Sequence, residues 1–93
     1  MTIAEQIVEI SRLKAGWLDG EGLVVSNLTL MRAIQEASAV EARTGHTPYL
    51  YPRENGGVSI EWDVAGGGHI LVEPIAPLIT KETLSTILGE HDD

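Results

Sequence analysis

Glu61, Asp63, Glu73 and His69 are the side chains of this sequence that, brought together, could hold a metal ion or move a proton. Glu61 and Asp63 belong to Val58-Ser-Ile-Glu-Trp-Asp-Val64, a strict apolar/polar alternation. That pattern predicts a half-buried strand with both carboxylates on the face opposite Val58, Ile60, Trp62 and Val64. Two residues of strand separate them by about 6.5 to 7 Å, which is wide for one ion. Charges on a solvated sheet face are commonplace, so no metal site and no cofactor are expected. His46 follows a helix end and His91 lies near the last residue, where capping or solvation suffices. Ser11, Ser26, Ser38, Ser59 and Ser85 have no histidine and acid at a recognisable spacing. Gly66-Gly67-Gly68 opens no helix and has no lysine beside it, unlike a phosphate cradle. No residue is assigned a catalytic role, and the chain reads as a non-enzyme.

Tyr49, Tyr51 and Leu71 point to binding instead. The same alternation places them on the outer face with Glu61, Asp63 and Glu73, an apolar and aromatic patch ringed by carboxylates. Tyrosine suits an interface because it covers area at low entropic cost and keeps a polar tip. These six residues are the candidate partner-binding set.

The elements that must position them follow from periodicity. Ile3, Ile7, Ile10 and Leu13 predict a helix over about residues 2 to 15, capped by Thr2 and ended at Gly16. Gly16-Trp-Leu-Asp-Gly-Glu-Gly22 must be a compact loop, pinned by Trp17 or Leu18. Ser26 or Asn27 caps a second helix with the stripe Leu30, Ala33, Ile34, Ala37 and Val40, closed by Gly45. Three strands follow. Thr47 to Arg53 has prolines suited to an edge, Asn55-Gly56-Gly57 leads into the second, and the glycine triplet leads into His69 to Glu73. Pro74 to Ile79 should be extended and partly unpaired, packed on a sheet edge or forming a dimer contact. Thr80 can cap a short last helix carrying Leu84, Ile87 and Leu88. The expectation is one α+β domain over residues 1–93. It has two N-terminal helices, a three-stranded antiparallel β-meander and a short C-terminal helix, with the helices on one face of the sheet. Trp62 and the other inward residues should form its core.

Fourteen acidic residues against six basic ones give a formal charge of −8. Such a surface repels nucleic acid and anionic membranes, so direct nucleic-acid binding is disfavoured and a basic protein partner is favoured. Cysteine is absent, which excludes disulfides and a thiolate nucleophile. No apolar run approaches the roughly 20 residues of a membrane helix, and the first residues lack a signal-peptide pattern. A cytoplasmic protein without membrane insertion is the expectation.

Two local patterns resemble a loosely characterised family of short bacterial and phage proteins. In that family a turn of the form W-D-G-x-G-A precedes a helix, and a later hairpin reads approximately I-Y-P-x-x-x-G-G-V-x-x-E-W. This chain has Gly16-Trp-Leu-Asp-Gly-Glu-Gly22 at the first place. At the second it has Pro48-Tyr-Leu-Tyr-Pro52 and Gly56-Gly57-Val58-Ser-Ile-Glu-Trp62. The likeness spans about residues 13 to 73 and is more specific in the hairpin. Leu18 separates Trp17 from Asp19, and Leu23 stands where alanine is usual, so the loop can differ in conformation. Members occur on prophages and mobile elements, some beside toxin genes, and no catalytic residues carry over. The resemblance implies an accessory protein that binds a host or toxin protein. An antitoxin-like or nucleic-acid-mimicking acidic inhibitor is the alternative, and a homodimer is compatible with either.

Overall fold

Thr2 starts the first helix through a reciprocal cap. Its hydroxyl accepts from the Glu5 N–H at 3.1 Å, and its own N–H donates to Glu5 Oε1 at 2.9 Å. The computed structural model describes residues 1–76, and helix α1 runs Ile3–Ser11. It stops short of the predicted Ala15. Ser11 Oγ donates to the Val8 carbonyl at 2.6 Å, and the Arg12 and Leu13 N–H groups bond only three residues back. That tightening ends the ladder, while Leu13 still packs on the core.

The glycine-rich loop is a small closed hairpin. Gly16 N–H bonds the Gly22 carbonyl, and Leu18 bridges Glu21. Trp17, rather than Leu18, pins it. The indole N–H donates to the Leu23 carbonyl at 3.0 Å, and the ring lies where a Gly22 side chain would be, its nearest atoms 2.7 Å from a Cβ built there. Leu18 remains 42% exposed.

Ser26 caps helix α2, Asn27–Thr44, and Gly45 closes it in the left-handed conformation. Leu30, Ala33, Ala37 and Val40 are buried as the stripe predicts, whereas Ile34 is 40% exposed at the stripe's margin. Ala33 and Ala37 are fully buried between the bulkier Leu30 and Val40 on the packed side of α2. Arg32 and Glu36 pair at 3.1 Å on the outside.

Strands β1 (Tyr49–Pro52), β2 (Val58–Trp62) and β3 (Gly68–Val72) form an antiparallel meander in the order β1-β2-β3. Leu50, Ile60 and Ile70 share one inner row, and Pro52, Val58 and Val72 the next. α1 packs beneath β1 and α2 beneath β2 and β3. Both helices therefore cover one face, and the core lies between the layers. Val58 and Ile60 are fully buried, each stabilising the fold by about 1.5–3 kcal/mol. The predicted last helix, from Thr80, lies outside the described residues.

Trp62 packs against the core, as expected, but from its margin. It is the last residue of β2, near the C-terminal end of α2, and is only half-buried. The Arg43 guanidinium lies 5.4 Å from its ring centroid, a cation–π lid instead of an aliphatic one. Val64 falls beyond the strand, so the alternation outruns the ladder by two residues.

Candidate functional site

The face turned away from the helices is a grid set by strand register. Tyr49, Glu61 and His69 lie side by side in one row, and Tyr51, Ser59 and Leu71 in the next. Continuing the register brings Arg53 beside Gly57, whose carbonyl accepts from the Arg53 N–H, with Glu73 beyond. Arg53 Nη1 reaches Glu73 Oε1 at 3.3 Å. Gly57, between them, has no side chain to stand in the way. The pair is exposed enough to contribute about 1 kcal/mol or less.

Along the central strand the outer side chains shrink from Glu61 to Ser59 to Gly57. The flanking columns are tall: Tyr49, Tyr51 and Arg53 on one side, His69, Leu71 and Glu73 on the other. The outcome is a shallow trough with apolar walls at its centre. Tyr49 is 56% exposed, Tyr51 48% and Leu71 47%, a hydrophobic concentration the helices leave uncovered. Glu61 stands directly opposite His69. Glu73 is two rows away and engaged by Arg53. Asp63 sits one residue past β2, in the turn, so it belongs to the rim of the grid rather than to its face. The four residues that opened the possibility of a metal thus do not converge. Among the described residues no three of His, Cys, Asp and Glu are grouped to hold an ion.

Two polar side chains escaped the sequence reading because both sit inside apolar stripes. Gln6 is buried and its amide spans the free edge of β1: Nε2 donates to the Pro48 carbonyl at 3.0 Å, and Oε1 accepts from the Leu50 N–H at 2.8 Å. A carboxamide carries the donor and acceptor of a peptide group, so one side chain stands in for a neighbouring strand. The signal was available, since Gln6 falls on the same helical face as Ile3 and Ile10.

Thr29, fully buried, does the equivalent for the chain beyond β3. Its Oγ1 accepts from the Ile75 N–H at 2.8 Å, and Ser26 Oγ donates to the Ile75 carbonyl at 2.7 Å. Ser26 has then spent its only proton, so the 2.8 Å contact between the hydroxyls runs from Thr29 to Ser26. Three hydrogen bonds close a ring, each polarising the next. The expected extended run after Pro74 is thereby tied to the start of α2 as far as Ile75.

A groove of about 350 Å³ opens between α1 and β1, with Ile10, Leu13, Leu50 and Tyr51 in its walls. A second, of about 310 Å³, follows the outer edge of β3, with Arg32, Glu36, Ile70 and Glu73 among its lining residues. No described helix is long and apolar enough to cross a membrane. Comparison with protein-family models, with curated proteins and with solved structures yields no match to this chain.

Proposed function

We propose that this chain is a non-enzymatic accessory protein, of the phage or mobile-element kind, that binds a host or toxin protein through its outer sheet face. The observation that carries the reading is the placement of Tyr49, Tyr51 and Leu71 on adjoining rows of the bare face, each about half exposed, with Glu61 and Glu73 at the borders and Asp63 on the rim. Flat aromatic surface supplies contact area, and the acidic border selects a partner with basic side chains around an apolar patch. The charge of −8 also favours a second reading, an antitoxin-like or nucleic-acid-mimicking inhibitor, which would use the same face against a basic target.

The test is quantitative capture by folded variants. Tyr49→Ala with Tyr51→Ala should weaken partner capture about tenfold or more, while changing stability by about 0.5 kcal/mol or less per site. Glu61→Lys with Asp63→Lys should slow association and flatten its salt dependence. Gln35→Ala, on the exposed side of α2, is the control. Normal capture by the tyrosine variant together with failure of Gln35→Ala would move the interface to the helical side and end the sheet-face reading.

A further inference from the structure

The two edges of the sheet are finished differently, and the difference assigns β3 a partner. Gln6 takes up Pro48 and Leu50, so the odd-numbered residues of β1 direct their backbone groups to β2. Following the antiparallel register across the sheet, Gly68, Ile70 and Val72 bond to β2, while His69 and Leu71 turn their N–H and C=O groups outward. Among the described residues no strand lies on that side. The edge also lacks the usual protections: from His69 to Glu73 there is no lysine or proline, and the pairing with β2 skips no residue. Ile75, whose N–H and carbonyl are taken by Thr29 and Ser26, ends the usable edge.

We propose that two copies of this chain pair antiparallel through β3, joining their three-stranded sheets into one. A two-fold axis through Leu71 places Leu71 against Leu71 of the second copy and Ile70 against Val72. It also sets His69 beside Glu73, and by symmetry each such contact occurs twice. All outward-facing backbone groups then meet outward-facing groups, as the ladder requires. This register is singled out by charge. Read across the joined outer face, the first row becomes Glu61, His69, then Glu73 and Arg53 of the second copy, so that carboxylates alternate with basic groups. Sliding by two residues one way sets Leu71 against His69, and the other way against Glu73, so the outer face loses its apolar pair and His69 no longer meets Glu73. The groove beside β3, with Arg32 and Glu36 on its floor, leaves room for the incoming strand. Pairing would make the two outer faces continuous. The inference goes beyond the proposed partner binding and does not depend on it.

Sedimentation of the full chain tests it. Wild type at about 100 μM should show the mass of two chains, as a dimer with a Kd of about 10 μM would. Leu71→Lys, which sets two cations on the axis, and Leu71→Pro, which removes both central N–H donors but no bond to β2, should each shift the mass to one chain with an unchanged circular dichroism spectrum. Because the chain has no cysteine, Leu71→Cys should cross-link under mild oxidation, whereas Tyr49→Cys should not. Tyr49→Ala with Tyr51→Ala should remain dimeric, which separates this inference from the face reading. A monomeric wild type overturns the pairing, and slow exchange of its His69 and Leu71 amides would mean that residues 77–93 cover the edge. A dimer that persists in folded Leu71→Lys and Leu71→Pro overturns it equally.

Discussion

At the β1 edge of the sheet a buried amide from α1 occupies the outward N–H and carbonyl, and prolines bound a strand of only four residues. At the β3 edge five residues run with no such occupant among those described. The β1 edge presents one outward N–H, that of Leu50, because Pro48 and Pro52 have none, and Gln6 takes it, whereas the β3 edge keeps those of His69 and Leu71. An edge is closed by supplying one donor and one acceptor at peptide spacing, and a glutamine does this as well as a strand can. The contrast locates the assembly surface on the side where no helix residue performs that service.

The most damaging way to break the contrast is to remove the closure. Gln6→Leu should lower unfolding stability by about 2–4 kcal/mol, because it strands a buried donor and a buried acceptor while keeping the apolar volume. Urea denaturation gives the value, and a change under about 0.5 kcal/mol would show that the amide is incidental. Should the variant stay folded, its β1 edge becomes open like that of β3, and self-association beyond the dimer is the expected sign.

A smaller effect is expected where β3 ends. Thr29→Val preserves shape but leaves the Ile75 N–H without its acceptor and takes the proton donor away from Ser26. A loss of about 1–2 kcal/mol is expected. Amide exchange at Ile75 should accelerate while the exchange rates of Leu50 stay unchanged, confirming that the two ties act independently.

The smallest effect concerns acid. The hydrogen bond from the Thr2 backbone N–H, joined by the Thr2 hydroxyl, holds the Glu5 carboxyl below its ordinary pKa. A depressed carboxylate contributes stability that is full above its unfolded pKa and is lost as pH falls through the folded value. Acidification through that window should therefore loosen the first turn of α1, the helix that carries Gln6 to β1. Glu5→Gln should remove this part of the pH dependence in thermal melts taken on either side of it. An unaltered pH profile would show that the capping box has no role in holding the β1 edge.

How much of this was legible before the structure differs between element and closure. The three strands, both helix caps and the half-exposed tyrosines follow from period, glycine position and alternation, all local properties. The ends of elements were less legible: α1 runs out where Ser11 turns to bond its own helix, and Asp63 leaves the strand because the ladder stops two residues short of Val64. Trp62 packs against the core from its margin for a related reason, since alternation indicates a face but not how far the opposing helix extends over it. Gln6 and Thr29 were the real omissions. Each makes a hydrogen bond across more than forty residues of chain, so the stripe marks the position of the polar residue without revealing its distant partner.

Gly57 has one more implication, for how such a surface could be retargeted. A Cβ there would fall 2.5 Å from the Val72 carbonyl oxygen and 3.4 Å from Pro74 Cδ, so the lowest point of the trough is fixed by the neighbouring strand and not by whatever the trough receives. The floor is therefore closed to variation at Gly57. Ser59, Glu61 and the outer positions of β1 and β3 face no such restriction, and mutational drift in recognition must run through them. A lineage could exchange one target for another by rewriting Tyr49, Tyr51, His69 and Leu71 while the folded framework beneath stayed as it is.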